Sequence, residues 1–151
     1  MSVGLIALTA CDKPTAEATV TVGGKSVQAE AASKCYANGT KLPQEIFIAC
    51  LQAKPTHHIT VPLGDKVRIG VDPSIGDKGW LVVQGTTLIS PELIKNETYM
   101  SFDSTALFSQ QDATTGATTQ ATSVTLSIVE SGDTSGSKTY RVIQFTLDRP
   151  K

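Results

Sequence analysis

Short stretches of alternating apolar and polar residues run through this chain, and the clearest pair lies near its C-terminal end. Residues 124–128 alternate strictly, and residues 140–147 alternate again with Phe145 and Leu147 on one side. A segment rich in Ser and Gly, residues 131–137, separates them. Because side chains of a strand point to its two faces in turn, this period predicts strands with one buried face. The two alternating stretches and the turn between them therefore predict a long C-terminal β-hairpin.

Other segments carry the same strand signals. Alternation on both sides of Gly23-Gly24 predicts an N-terminal hairpin of residues 18–22 and 25–31. Further strands are predicted at residues 58–62, 66–71, 80–84, 86–90 and 97–102, with a turn at residues 63–65 between the first two. The segment that begins at Trp80 is the most apolar of these, so we expect it at the centre of a sheet.

Three segments depart from the alternating pattern. The apolar run of residues 46–51 is flanked by Pro43 and Pro55, which favours a short strand over a helix. Residues 72–79 are expected to form a loop. Residues 109–123 are rich in Thr, Ala, Gln and Gly and carry few apolar side chains, so a long mobile loop or a low-complexity insertion is expected there.

Many short strands with turn residues between them predict an all-β fold. We expect an antiparallel, immunoglobulin-like β-sandwich, with a small β-barrel as the alternative. A length of 151 residues fits one domain, which the strand pattern places at residues 18–151.

The N-terminal segment has the features of a processing signal. Residues 3–10 are apolar but far too few to span a bilayer. They end in Leu8-Thr9-Ala10-Cys11, which resembles the lipobox of bacterial lipoproteins. This resemblance implies cleavage before Cys11 and a diacylglycerol on its thiol, and two acyl chains suffice for stable anchoring. Residues 1–10 are then a residual signal peptide, and residues 11–17 a lipidated polar tether.

One feature departs from that pattern, because a signal peptide should begin with Lys or Arg and Met1-Ser2-Val3-Gly4 contains neither. The alternative interpretation is a buried first strand in which Cys11 is a small apolar side chain. The polar residues 12–17 that follow favour the tether.

The chain has three cysteines, an odd number that leaves one unpaired in an oxidising compartment. If Cys11 carries a lipid, Cys35 and Cys50 remain as a closely spaced pair. We expect a structural disulfide between them, because they lack the C-x-x-C spacing of a redox pair and no His lies at metal-ligand spacing.

The charge balance and the absence of a hydrolase motif argue against two classes of function. With 13 basic and 14 acidic residues and no cluster of Lys or Arg, the chain lacks the basic face of a nucleic-acid-binding protein. The G-x-S-x-G motif of many hydrolases is absent. We therefore expect neither an enzyme nor a cofactor.

Two groups of side chains are candidates for metal chemistry. His57 and His58 are neighbours, but adjacent residues of a strand point to opposite faces and cannot easily share one ion. Asp72, Asp77 and Glu92 lie in predicted loops but lack the dense spacing of a calcium loop. We expect ordinary surface and turn roles for all five, and no metal.

Two aromatic residues and two asparagines are the remaining candidates for functional side chains. Trp80 and Tyr99 are candidates to line a ligand cleft, although a single Trp on an apolar strand is more often a core residue. The glycosylation-type motifs at Asn38 and Asn96 have no weight in a bacterial lipoprotein.

Taken together, the chain resembles the small secreted lipoproteins of actinobacteria that carry one immunoglobulin-like domain of unknown function. The likeness spans most of the chain and rests on Leu8-Thr9-Ala10-Cys11, the strand pair before Cys35, the Cys35 and Cys50 pair, and the block from Val61-Pro62 to residues 80–83. It implies an anchor on the extracytoplasmic face of the membrane and no catalytic residues. The expected role is binding another envelope or membrane protein as an accessory subunit. The alternative is a carrier of a lipid or small ligand.

Overall fold

The computed structural model describes residues 15–150, which form a β-sandwich with three short helices. The strands are β1 (Glu17–Val22), β2 (Lys25–Glu30), β3 (His58–Thr60), β4 (Lys66–Val71), β5 (Trp80–Gln84), β6 (Thr87–Leu88), β7 (Tyr99–Asp103), β8 (Ser109–Gln111), β9 (Thr118–Gln120), β10 (Ser123–Ser131) and β11 (Thr139–Asp148). The helices are α1 (Gln44–Gln52), α2 (Pro73–Lys78) and α3 (Ser104–Phe108), with a 3-10 turn at Ser33–Cys35. Cys11 and the predicted signal peptide lie outside the described residues.

Two sheets make the sandwich. The first has the order β2-β1-β4-β7 and the second the order β3-β11-β10-β5-β6, while β8 and β9 form a separate two-stranded ribbon. The predicted β-sandwich is thus confirmed, and the strands within residues 15–150 do not close into the alternative barrel. Both predicted hairpins are also confirmed, since β1 pairs with β2 and β10 with β11 in antiparallel register.

The inner faces of the two sheets enclose the main core. In β4 the buried Val67 and Ile69 alternate with the exposed Lys66 and Arg68, as a strand with one buried face requires. The largest side chains of this core are fully buried and come from the second sheet and from α3: Trp80, Phe145 and Phe108.

A second, smaller core lies on the outer face of the five-stranded sheet. There Val83, Val129 and Val142 pack under α1 and the cysteine pair. Because both faces of β5 are covered, its sequence is an almost continuous apolar run, which is typical of buried strands. The central strand of this sheet is β10, however, and β5 lies beside it next to the short edge strand β6.

The prediction of a strand at residues 46–51 is wrong, because this segment belongs to helix α1. Phe47, Cys50 and Leu51 follow the spacing of one helical face and pack toward the sheet, whereas Ile46 and Ile48 are exposed. Pro43 lies just before the first turn, where its missing N–H costs no hydrogen bond. The flanking prolines are compatible with this helix, because both lie outside it.

The two strands predicted around residues 63–65 exist but belong to different sheets. β4 pairs with β1 and β7, whereas β3 runs parallel to β11. The turn at residues 63–65 therefore carries the chain from one sheet to the other. The sandwich is antiparallel except for this β3–β11 pair.

Two predicted loops contain regular structure. Residues 73–78 form the short helix α2, which begins with Pro73 at a position suited to proline. Within residues 109–123, β8 and β9 pair as a small hairpin, so this segment is not an irregular loop throughout. Its mobility stays a prediction. Among the described residues no helix is long and apolar enough to cross a membrane.

Candidate functional site

Cys35 and Cys50 form the predicted disulfide, with their Cα atoms 6.0 Å apart. Both residues are buried and belong to the smaller core. Cys35 ends the 3-10 turn, and Cys50 lies on the face of α1 that meets the sheet. The bond therefore holds α1 on the outer face of the five-stranded sheet.

Replacing both cysteines by alanine is expected to lower the free energy of unfolding by about 3 kcal/mol, because the bridge closes a loop of about 15 residues. Urea unfolding of Cys35→Ala/Cys50→Ala beside the oxidised parent measures this difference. Alkylation of the protein purified without reductant, followed by intact mass, should label neither Cys35 nor Cys50. Labelling of both would contradict the bridge.

The two histidines lie at the start of β3 and do not share a site. The ring of His57 meets the edge of Phe145, with ring centroids 6.3 Å apart. The ring of His58 lies on the surface, where its Nδ1 is 2.9 Å from Oδ2 of Asp148. Within residues 15–150, no three His, Cys, Asp or Glu side chains lie together as a metal site would require.

Asp148 also accepts a hydrogen bond from Ser123, so a serine, an aspartate and a histidine lie together. The Ser123 Oγ to Asp148 Oδ1 distance is 3.0 Å. In a hydrolytic triad the serine donates to the histidine, which then removes its proton. Here Ser123 donates to Asp148, and the ring of His58 contacts the other oxygen of the same carboxylate, so the serine hydroxyl is not aimed at the histidine. The pair of His58 and Asp148 is largely exposed, and such pairs contribute about 0–1 kcal/mol.

Sequence reasoning placed no Asp or Ser beside the histidines, because Asp148 is 90 residues from His58 along the chain. One signal was present. The C-terminal hairpin was predicted, and its register in the structure places Ser123 opposite Asp148. The approach of His58 depends on the parallel pairing of β3 with β11, for which the sequence carries no local signal.

The carboxylates considered for calcium serve separate local roles. Asp72 precedes α2 and its Oδ2 accepts a hydrogen bond from the backbone N–H of Glu17 at 2.8 Å. Asp77 lies in α2, and Glu92 is exposed in a bend. Asn38 and Asn96 occupy turns with φ of 52° and 60°, a conformation that asparagine tolerates.

Trp80 and Tyr99 do not line a common cleft. Trp80 is fully buried between the sheets, where its Nε1 donates to the backbone oxygen of Glu97 at 2.8 Å. Tyr99 lies on β7 with 55% of its surface exposed. Trp80 is therefore a core residue.

An extensive indented surface lies at the end of the sandwich formed by Gln84, Ser123 and Asp148. Three open depressions of about 650, 500 and 730 Å³ meet at Ser123. We call the residues that line them the distal surface; they include residues 84–87, 109–111, 122–125 and 148–150, together with His58 and Thr60. Hydroxyl and amide groups predominate in this lining.

The β8–β9 hairpin borders the distal surface. Oδ1 of Asp112 accepts hydrogen bonds from the backbone N–H groups of Thr114 and Thr115 in the connecting turn. The bond from Thr114, followed by that from Thr115, holds the pKa of Asp112 below its ordinary value. Nε2 of Gln120 donates to Oγ of Ser109 across the hairpin. These contacts order a segment that has few apolar side chains.

A comparison with known protein families, curated proteins and solved structures found no match.

Proposed function

We propose that this protein is a lipid-anchored, extracytoplasmic binding protein that contacts another envelope or membrane protein without catalysing a reaction. The observation that carries the proposal is the filled interior of the sandwich. Trp80, Phe108 and Phe145 occupy the space between the sheets. A domain whose interior is filled recognises a partner through its surface, and an exposed face or edge is sufficient for binding a protein.

The disulfide supports the extracytoplasmic location, because such bonds persist in oxidising compartments and are rare in the cytosol. The lipid anchor rests on the lipobox-like segment that ends at Cys11. An anchor raises the local concentration of the domain near membrane partners, so a weak contact can suffice.

The alternative role as a carrier has less support from the packing. Ligand pockets are commonly 300–1,000 Å³ in volume and largely apolar. The apolar groove beside α1, between Phe47, Leu51 and Val83, encloses about 140 Å³. The larger depressions are open to solvent, and the two largest of them are lined mainly by polar or charged side chains.

Crosslinking in whole cells, followed by pull-down of the anchored protein, tests the proposal, and Cys11→Ala is the matched control. We expect the parent to be recovered in the membrane fraction with one stable protein partner. The Cys11→Ala variant is expected in the medium or uncleaved, with the crosslinked partner reduced at least about 100-fold, because tethering commonly contributes factors of 10²–10⁴.

Two results would contradict the proposal. If the Cys11→Ala variant matures and fractionates with membranes like the parent, the anchor is wrong. If the parent yields no protein partner and instead co-purifies with a lipid or small molecule, the carrier role replaces the binding role.

A further inference from the structure

The first residues that the structure describes are held firmly against one end of the sandwich. Three hydrogen bonds fix them, each to a different element: Thr15 Oγ1 to Glu30 Oε2 at 3.1 Å, Arg141 Nη1 to the backbone oxygen of Ala16 at 2.9 Å, and the backbone N–H of Glu17 to Asp72 Oδ2 at 2.8 Å. The backbone of residues 15–17 therefore has a defined position on the domain. We call this the tether end, where β1 begins and β10 ends.

Arg141 makes this attachment rigid. Its side chain is 94% buried and its guanidinium lies over the ring of Tyr36, 4.1 Å from the ring centroid. Its Nε is 3.5 Å from Oε1 of the buried Glu130. An arginine held by an ion pair, an aromatic ring and a backbone oxygen has little freedom to shift. The exit point of the tether is thus fixed by the core of the domain.

Residues 15–17 of the predicted tether are bound to the domain, so only the segment from Cys11 to Thr15 can separate the domain from the anchor. Cys11 and Thr15 are four residues apart, and even fully extended backbone spans no more than about 14 Å over that distance. Strand β11 has 10 residues and is about 30 Å long, and it runs from the tether end to the distal surface. A domain turned over, with the distal surface against the bilayer, would need a tether about twice as long.

We infer that the anchored domain keeps its tether end beside the membrane and presents the distal surface, around Ser123, to its partner. This inference rests on the proposed lipid anchor at Cys11. This orientation suits a partner protein whose folded extracytoplasmic domain rises about 30 Å or more above the bilayer. That height is the length of the strands that connect the tether end to the distal surface. A partner with only short loops at the bilayer surface would meet the tether end instead.

The side chains of the distal surface indicate which groups a partner should present to it. The depression between Gln84, Gln110 and Ser123 is lined by no charged side chain, whereas His58, Asp148 and Arg149 line the depressions beside it. Hydroxyl and amide groups form hydrogen bonds whose strength depends little on ionic strength, whereas contacts between exposed charges are screened by salt. A partner that fills the depression at Gln84 and Gln110 should therefore present uncharged hydrogen-bonding groups to it.

The orientation is tested on lipid vesicles, independently of any partner. Cys11 is the one cysteine outside the disulfide, so its thiol can be coupled to a maleimide phospholipid in phosphatidylcholine vesicles. A genetically encoded fluorescent amino acid is placed at Ser74 on the tether end or at Thr119 on the distal hairpin; both positions are exposed. Because about 30 Å separates the two ends, energy transfer to a headgroup acceptor should be at least about twofold stronger from position 74. Equal transfer from both positions, or stronger transfer from 119, would overturn the orientation.

The contact surface is tested in cells with a photoactivated crosslinking amino acid at the same two positions. A protein adduct is expected from position 119 and not from position 74. Adducts from position 74 alone, or from neither position when whole-cell crosslinking does recover a partner, would refute the assignment of the distal surface. The vesicle measurement does not need biological lipidation or a partner, so failure of the proposed function and failure of the orientation give different results.

Discussion

Replacing Arg141 by methionine is expected to lower the free energy of unfolding by about 3–5 kcal/mol. Arg141 and Glu130 face each other across β10 and β11 and are both almost fully buried. Without the guanidinium, the Glu130 carboxylate is left in the core without its opposite charge, and breaking one partner of a buried ion pair has a cost of this size. Urea unfolding followed by circular dichroism measures the loss.

The double variant Arg141→Met/Glu130→Leu is the matched control. It removes both charges and keeps most of the apolar volume, so it should regain most of the stability lost in the single variant. A loss below about 1 kcal/mol in Arg141→Met would show that Glu130 does not depend on this partner. Both variants lack the contact of Arg141 with Ala16, so the difference between them reports the cost of the unpaired Glu130 charge.

Replacing Trp80 by alanine is expected to destabilise the protein by about 3–5 kcal/mol, because truncation leaves a large cavity between the sheets. Trp80 is fully buried in the main core. In Trp80→Phe most of the apolar contact survives, but the backbone oxygen of Glu97 loses its donor, which predicts a smaller loss of about 1–3 kcal/mol. Thermal and urea unfolding of both variants give the order of the two effects.

Tyr99→Ala is the control for an aromatic residue outside the core. More than half of Tyr99 is exposed on β7, so its truncation should change the unfolding free energy by no more than about 0.5 kcal/mol. If Trp80→Ala and Tyr99→Ala had equal effects, the assignment of Trp80 to the core would be wrong.

The local strand pattern was sufficient for much of the fold. Strict alternation and glycine-rich turns located the hairpins β1–β2 and β10–β11, and their density along the chain indicated a β-sandwich. These features can be predicted because a two-residue period and a short turn are properties of neighbouring residues. The disulfide followed from counting cysteines, and the anchor at Cys11 still rests on the sequence.

The local pattern was not sufficient for helix α1, where a strand was predicted at residues 46–51. A run of six apolar or small residues fits a buried strand and a helix equally well by composition. Phe47, Cys50 and Leu51 became one face because the outer side of the five-stranded sheet needed a cover there and the bond to Cys35 holds the helix against it. That surface exists only after β5, β10 and β11 have paired.

The sequence by itself determined the elements whose signals lie within a few residues: the hairpins, the turns, the cysteine pair and the lipobox-like segment. Tertiary structure alone decided which sheet contains β3, how Asp148 contacts both His58 and Ser123, and how Arg141 binds the backbone oxygen of Ala16. Each of these joins residues far apart along the chain. Such contacts depend on the pairing of whole strands and on burial, which no short stretch of sequence specifies.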